Sequence, residues 1–114
     1  MKILVVDDEK KIADTIAQRL ELRGIETAPV YDGSSALERV RDNSFNGIIL
    51  DLRLPDIDGT EVLERVMKEH PHMRVVILSG HANEGDFRIC MELGAVACFR
   101  KPADIEMLLQ ALSG

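Results

Sequence analysis

Nowhere in the chain of 114 residues is there an apolar run approaching the roughly 20 residues that a membrane-spanning helix requires. The first apolar stretch, Ile3 to Val6, runs into Asp7 and Asp8 instead of a small-residue cleavage site, which argues against a secretory leader. A cytoplasmic location is therefore expected. Positive charge is also scarce: 14 Lys plus Arg stand against 20 Asp plus Glu, a formal net charge of −6. Such a balance opposes contact with a phosphate backbone, so no direct nucleic-acid binding and no membrane surface are expected of this domain. There are only two cysteines, Cys90 and Cys98, one in an expected helix and one in an expected strand. They do not suggest a disulfide framework and are read as reduced packing residues. The phosphate-cradling patterns G-x-x-x-x-G-K-[ST] and G-x-G-x-x-G are both missing, which argues against a nucleotide or flavin enzyme. No repeat, linker or low-complexity stretch divides the chain.

What remains is an ordinary globular composition, 46% apolar and 30% charged, at a length that supports one hydrophobic core. A single domain over residues 1–114 is expected. Four short apolar runs read as strands buried on both faces: Ile3 to Val6, Ile48 to Leu50, Val75 to Leu78 and Ala95 to Phe99. A weaker strand spans Ile25 to Val30 and contains Pro29, which has no N–H for a sheet ladder and so belongs at an edge. Helical spacing fills the gaps. Ile12, Ile16 and Leu20 lead to Gly24, and Leu37 and Val40 follow Asp32-Gly33. Val62, Leu63, Val66 and Met67 precede Pro71, with Asp58 and Glu61 as the expected cap. A fourth helix opens at Asn83 and closes at Gly94, and a fifth follows Pro102. Five strands alternating with five helices predict a doubly wound α/β domain with a five-stranded parallel sheet and helices on both faces. With the proline-bearing strand at an edge, the favoured order is the flavodoxin-like 2-1-3-4-5, for which a ligand site lies beyond the carboxyl ends of strands one and three.

The residues at those ends carry chemistry. Asp7 and Asp8 follow strand one, Asp51 follows strand three, Ser79 ends strand four and Lys101 follows strand five. Taken singly, each has an ordinary role: Asp8 as a helix cap, Asp51 as a turn opener before Pro55, Ser79 as a loop hydroxyl, Lys101 as a solvated charge. Gathered on one rim, three carboxylates would repel one another and call for a compensating cation. An oxygen-only set suits a hard divalent ion such as Mg²⁺ (or Mn²⁺). A metal, an ammonium and a hydroxyl together match the needs of phosphoryl transfer, with Asp51 at the centre of the rim as the nucleophile.

Over essentially its whole length the chain resembles the receiver domain of bacterial two-component response regulators. The matching stretches are Ile-Leu-Val-Val-Asp-Asp-Glu (3–9), Asp-Gly (32–33), Asp-Leu-Arg-Leu-Pro-Asp-Ile-Asp-Gly (51–59), Val-Val-Ile-Leu-Ser-Gly (75–80), Leu-Gly-Ala (93–95) and Lys-Pro (101–102). The resemblance implies that Asp51 is the phosphoacceptor and Asp8 a direct metal ligand. It makes Asp7 a water-mediated ligand and gives the backbone carbonyl of Arg53 another ligand position. It assigns Ser79 and Lys101 to the phosphoryl group, and it implies a cis Lys101-Pro102 bond. It further implies a donor, either a sensor histidine kinase or a phosphotransfer protein, and an output domain or target protein downstream, with a phosphorylation-dependent homodimer among the possible readouts. Such a domain is not an enzyme acting on a separate substrate; it catalyses its own phosphorylation and autodephosphorylation. Arg53 and His81 stand where the family tunes hydrolysis of the phosphoryl group. One position departs from the pattern. The family carries an aromatic three residues before the lysine, where this chain has Cys98, and Phe99 alternates to the other side of the strand. The face of the fourth helix, fifth strand and fifth helix is still expected to respond, through the loop after Ser79. The competing reading is a phosphorylation-independent interaction module of the same fold.

Overall fold

The computed structural model describes residues 1–42 and 45–114, apart from the side chain of Asp42. In chain order the elements are β1 (Lys2–Val6), α1 (Lys10–Glu21), β2 (Glu26–Val30), α2 (Gly33–Asp42), β3 (Gly47–Leu50), α3 (Gly59–Glu69), β4 (Arg74–Ser79), α4 (Glu84–Leu93), β5 (Ala97–Arg100) and α5 (Ile105–Ser113). All strand pairings are parallel and the order is β2-β1-β3-β4-β5, as the alternating pattern predicts. Pro29 lies on edge strand β2, opposite Val5, where its missing N–H is tolerated.

Because strand side chains alternate, the sheet feeds two cores. Leu4, Val6, Ile48, Leu50, Val75 and Ile77 pack against α2, α3 and α4 through Ala36, Val40, Val62, Leu63, Val66 and Cys90. Ile3, Val5, Ile49, Val76 and Leu78 point the other way, onto Ala13 and Leu20 of α1 and Ile105, Leu108 and Leu112 of α5. Cys98 packs with the first group and Phe99 with the second, so the two do occupy opposite sides of β5. Both cysteines are free thiols, and burial pushes Cys90 up to about 11. No helix among the described residues is long and apolar enough to cross a membrane.

The structure differs from the sequence expectation at element ends. Strand β5 begins at Ala97 instead of Ala95, because the Ala95 N–H is still engaged by the Cys90 carbonyl at 3.0 Å in the wind-up of α4. Gly94 makes that reversal at φ 115°, a left-handed angle that favours glycine, and Gly24 does the same after α1 at φ 80°. At the start of α3, Asp58 accepts from the Thr60 N–H at 3.0 Å, but Glu61 does not reciprocate; it bonds Arg65 at 2.6 Å. The reciprocal box stands on α4, where Asn83 accepts from the Asp86 N–H at 2.8 Å and Asp86 accepts from the Asn83 N–H at 2.9 Å.

Candidate functional site

Parallel strands end on one rim, and the backbone ladder carries the acidic residues to it. Asp7 N–H donates to the Val30 carbonyl at 3.1 Å, and Asp51 N–H to the Val6 carbonyl at 3.0 Å, so the two aspartates continue the β1–β2 and β1–β3 pairings. Lys101 N–H donates to the Ser79 carbonyl at 3.2 Å, placing β5's exit beside β4's. The Lys101–Pro102 bond is cis. One carboxylate oxygen from each of Asp7, Asp8 and Asp51 lies within 4.8 Å of the others, with Asp7 and Asp51 buried and Asp8 exposed. Lys101 Nζ reaches into this group, 2.6 Å from Asp7 Oδ2 and 3.1 Å from Asp51 Oδ2. Asp7 Oδ1 accepts from the Glu9 N–H at 2.9 Å, and Asp51 Oδ1 from the Arg53 N–H at 3.3 Å.

The electrostatics follow from burial. Desolvation raises Asp7 above the ordinary carboxylate value, and the Asp51 charge adds to it, more than the Lys101 and Glu9 hydrogen bonds bring it down. Burial acts to lower Lys101, yet its bonds to Asp7 and Asp51 outweigh this and hold the ammonium above its usual value. The two shifts have different origins: burial raises Asp7 despite the lysine, and the bonds to the two acids raise Lys101 despite burial.

Ser79 is fully buried, and its hydroxyl has no hydrogen-bond partner among the described residues. A buried polar atom without a partner calls for an explanation. A cleft of about 290 Å³ opens beside it, lined also by Arg53 and His81, the two residues singled out as flanking the site. Gly59 closes the turn after Asp51: its N–H donates to the Leu52 carbonyl at 3.0 Å, and a Cβ there would lie 2.4 Å from Leu52 Cα and 2.6 Å from the Asp51 carbonyl oxygen. No side chain fits between those backbones.

Three features of the rim were not legible in the sequence. Glu9 adds a third carboxylate 3.6 Å from Lys101 Nζ; the acidic run Asp7-Asp8-Glu9 was the available signal. Asp56 reaches across to α2, accepting from Gly33 N–H at 2.8 Å and Ser34 N–H at 2.9 Å, and from its own neighbour Ile57 at 2.9 Å. With the Ser34 side chain these bonds hold its carboxyl well below the usual range. Arg100 donates to the Ala82 carbonyl and lies 5.0 Å from the centroid of the Phe87 ring, while Cys98 Sγ approaches the Phe87 carbonyl at 3.8 Å.

The family model for the response regulator receiver domain matches residues 3–113. Among curated relatives, the regulatory protein VanRc of Enterococcus gallinarum is 38% identical over 101 residues, which is 89% of this chain and 43% of that protein. The transcriptional regulatory protein CutR of Streptomyces coelicolor is 33% identical over 102 residues, 90% of this chain and 47% of that protein. The chain thus spans about half the length of these relatives. Among solved structures, a CheY-like receiver domain protein from Methanospirillum hungatei superposes with a TM-score of 0.93 at 32% identity, over 98% of this chain and 90% of that one. A response regulator protein from Burkholderia pseudomallei, solved with a phosphorylated aspartic acid, calcium ion and citrate, gives 0.92 at 30% identity, over 97% of this chain and 65% of that one.

Proposed function

The chain belongs to the response regulator receiver domain family, and on that premise we propose that it is a phosphorylation-dependent signalling switch with Asp51 as its phosphoacceptor. The observation that carries this reading is the convergence of Lys101 Nζ on Asp7 and Asp51, at 2.6 and 3.1 Å, inside a cluster of three carboxylates. A structural ion pair needs one acid; this lysine is shared by two that are both buried and crowded by a third.

The donor set fits a hard divalent cation, Mg²⁺ or Mn²⁺: all three side chains offer oxygen, and the lysine leaves their charge only partly neutralised. Asp7, Asp8, Asp51 and the backbone carbonyl of Arg53 are the groups that would hold it. When bound, the ion supplies positive charge beside the oxygens of the transferring phosphoryl group. The remaining work falls to the chain. An oxygen of Asp51 attacks phosphorus of a phosphohistidine on a sensor histidine kinase or phosphotransfer protein. As the O–P bond forms, the P–N bond breaks, and its electron pair and a proton go to the imidazole. Lys101 offsets charge on the transferred oxygens, and Ser79 gives one of them its unshared hydroxyl. In autodephosphorylation, water attacks the same phosphorus, inorganic phosphate departs and the Asp51 carboxylate returns. Arg53 and His81, which line the adjoining cleft, hinder or orient that water.

The phosphoryl group shifts the population toward the arrangement in which Ser79 and Lys101 both engage it. The face of α4, β5 and α5 relays the change to an output domain or target protein, or to a second copy of the chain, within the cytoplasm. The domain itself turns over no separate substrate and contacts neither nucleic acid nor membrane. Incubation with Mg²⁺ and acetyl phosphate followed by intact mass tests the proposal. The expected result is a labile gain of one phosphoryl group, absent from Asp51→Asn; no gain, or an equal gain in the variant, refutes it.

A further inference from the structure

We infer that Asp56 is a positioning residue for the acidic site, locking the turn that carries Arg53 onto the first turn of α2. The inference rests on the switch reading above and concerns the support of its metal-binding backbone.

Asp56 is exposed, yet its carboxylate is held by three backbone N–H groups, Gly33, Ser34 and Ile57, all within 2.9 Å. Two of these belong to the orphan donors at the start of α2, where a negative charge is favoured. The third donor, Ser35 N–H, goes to Asp32 Oδ1 at 2.7 Å. The helix therefore has a cap of its own from Asp32, and the bonds to Asp56 add something a local cap does not: a tie between α2 and a turn 23 residues further on. The approach is close. A Cβ on Gly33 would lie 3.0 Å from Val62 Cγ2 and 3.1 Å from Ile57 Cβ.

Leu52, Leu54 and Ile57 of the segment 52–58 pack against the core, but its other hydrogen bonds lie near its ends. Arg53 N–H bonds Asp51 Oδ1 at 3.3 Å, a long contact, and Gly59 N–H bonds the Leu52 carbonyl at 3.0 Å. Between those points the Asp56 clamp is the one side-chain hydrogen-bond tie among the described residues that leaves the loop for another element. Releasing it leaves the Arg53 peptide oriented only by the packing of its neighbours Leu52 and Leu54 and by the long bond to Asp51. Groups that orient ligands without touching the ion commonly alter metal affinity by about 10- to 100-fold.

The test compares Asp56→Ala and Asp56→Asn with Asp32→Ala, which removes a cap from the same helix while leaving the turn tied. Two readouts are taken by NMR: amide exchange at Arg53 in the metal-free protein, and the Mg²⁺ concentration that half-shifts the amides of Asp8 and Asp51. Asp56→Ala should speed Arg53 exchange and weaken Mg²⁺ binding about tenfold. Asp56→Asn should fall between, since its single oxygen still serves Gly33 but its amide opposes the Ser34 N–H; it also stands in if the alanine variant does not fold. Asp32→Ala should change both readouts less than twofold. If Asp56→Ala matches Asp32→Ala on both, or Asp56→Asn alone is available and leaves both unchanged, Asp56 is only a helix cap and the inference is overturned. If the unaltered chain takes up neither Mg²⁺ nor a phosphoryl group, the switch reading itself fails, and this inference fails with it.

Discussion

Replacing Ser79 by alanine should stabilise the resting protein and destabilise the phosphorylated one. The hydroxyl is fully buried and has no partner among the described residues. A buried hydroxyl in that condition costs roughly 1–3 kcal/mol relative to one that is hydrogen-bonded, and deleting it removes the penalty while opening only a small void. We expect a gain near the lower bound, about 1 kcal/mol, which for a domain of this size raises Tm by roughly 3–6 °C. In the phosphorylated state proposed above, the same hydroxyl would face an anionic oxygen, and a hydrogen bond to a charged group is worth about 1.5–3 kcal/mol. The substitution should therefore change sign between states, with a total swing of roughly 2.5–4 kcal/mol, or about 70- to 900-fold in the equilibrium between them. Urea unfolding of the unaltered chain and of Ser79→Ala, each with Mg²⁺ and with or without beryllofluoride as a phosphoryl mimic, reads the four stabilities. A resting Ser79→Ala that is less stable than the unaltered chain, or an equal shift in both states, would refute the reasoning.

Three further outcomes follow from the same geometry. Gly59→Ala places a Cβ against the backbones of Asp51 and Leu52, so a loss of roughly 1–3 kcal/mol is expected in chemical unfolding, with phosphorylation slowed because Asp51 itself is displaced. Lys101→Met removes the ammonium that holds Asp7 and Asp51 together, which should cost about 3–5 kcal/mol without metal. Added Mg²⁺ should then raise Tm more in the variant than in the unaltered chain, since the ion no longer shares the acids with a cation. The pH dependence has two limbs. Asp7 is raised, so its proton competes with the ion as pH falls, and Mg²⁺ affinity measured by titration calorimetry should weaken at a higher pH than an exposed aspartate would dictate. Lys101 is also raised; its stabilisation is complete below about 10.5 and is lost only as pH climbs through its higher folded value, so neutral conditions should leave stability flat on that account.

What the sequence disclosed and what it concealed divide along a physical line. Strand order followed from two local facts, the alternation of apolar runs with helical spacing and the proline in β2, and the structure has that order. The gathering of Asp7, Asp8, Asp51 and Lys101 then followed from topology, because strand ends of a parallel sheet share one rim. Contacts set by side-chain reach were hidden. Asp56 finds Gly33 across 23 positions, and Arg100 finds Ala82 across 18, with no periodicity to announce either. The cap at Asp58 was correctly located, but Glu61 had a nearer bargain in Arg65 one turn along the helix, which a spacing rule does not weigh. The start of β5 was misjudged by two residues because the left-handed reversal at Gly94 carries Ala95 back toward α4 before the strand begins.

The contacts around β5 give the departure at Cys98 a constructive side. Here the aromatic ring is supplied by the helix instead of the strand: Phe87 lies beneath Arg100, and Arg100 also grips the Ala82 carbonyl. A single guanidinium on β5 thus ties both the loop that leaves Ser79 and the opening turn of α4 to the same strand, so the serine loop, the helix and the strand share one anchor.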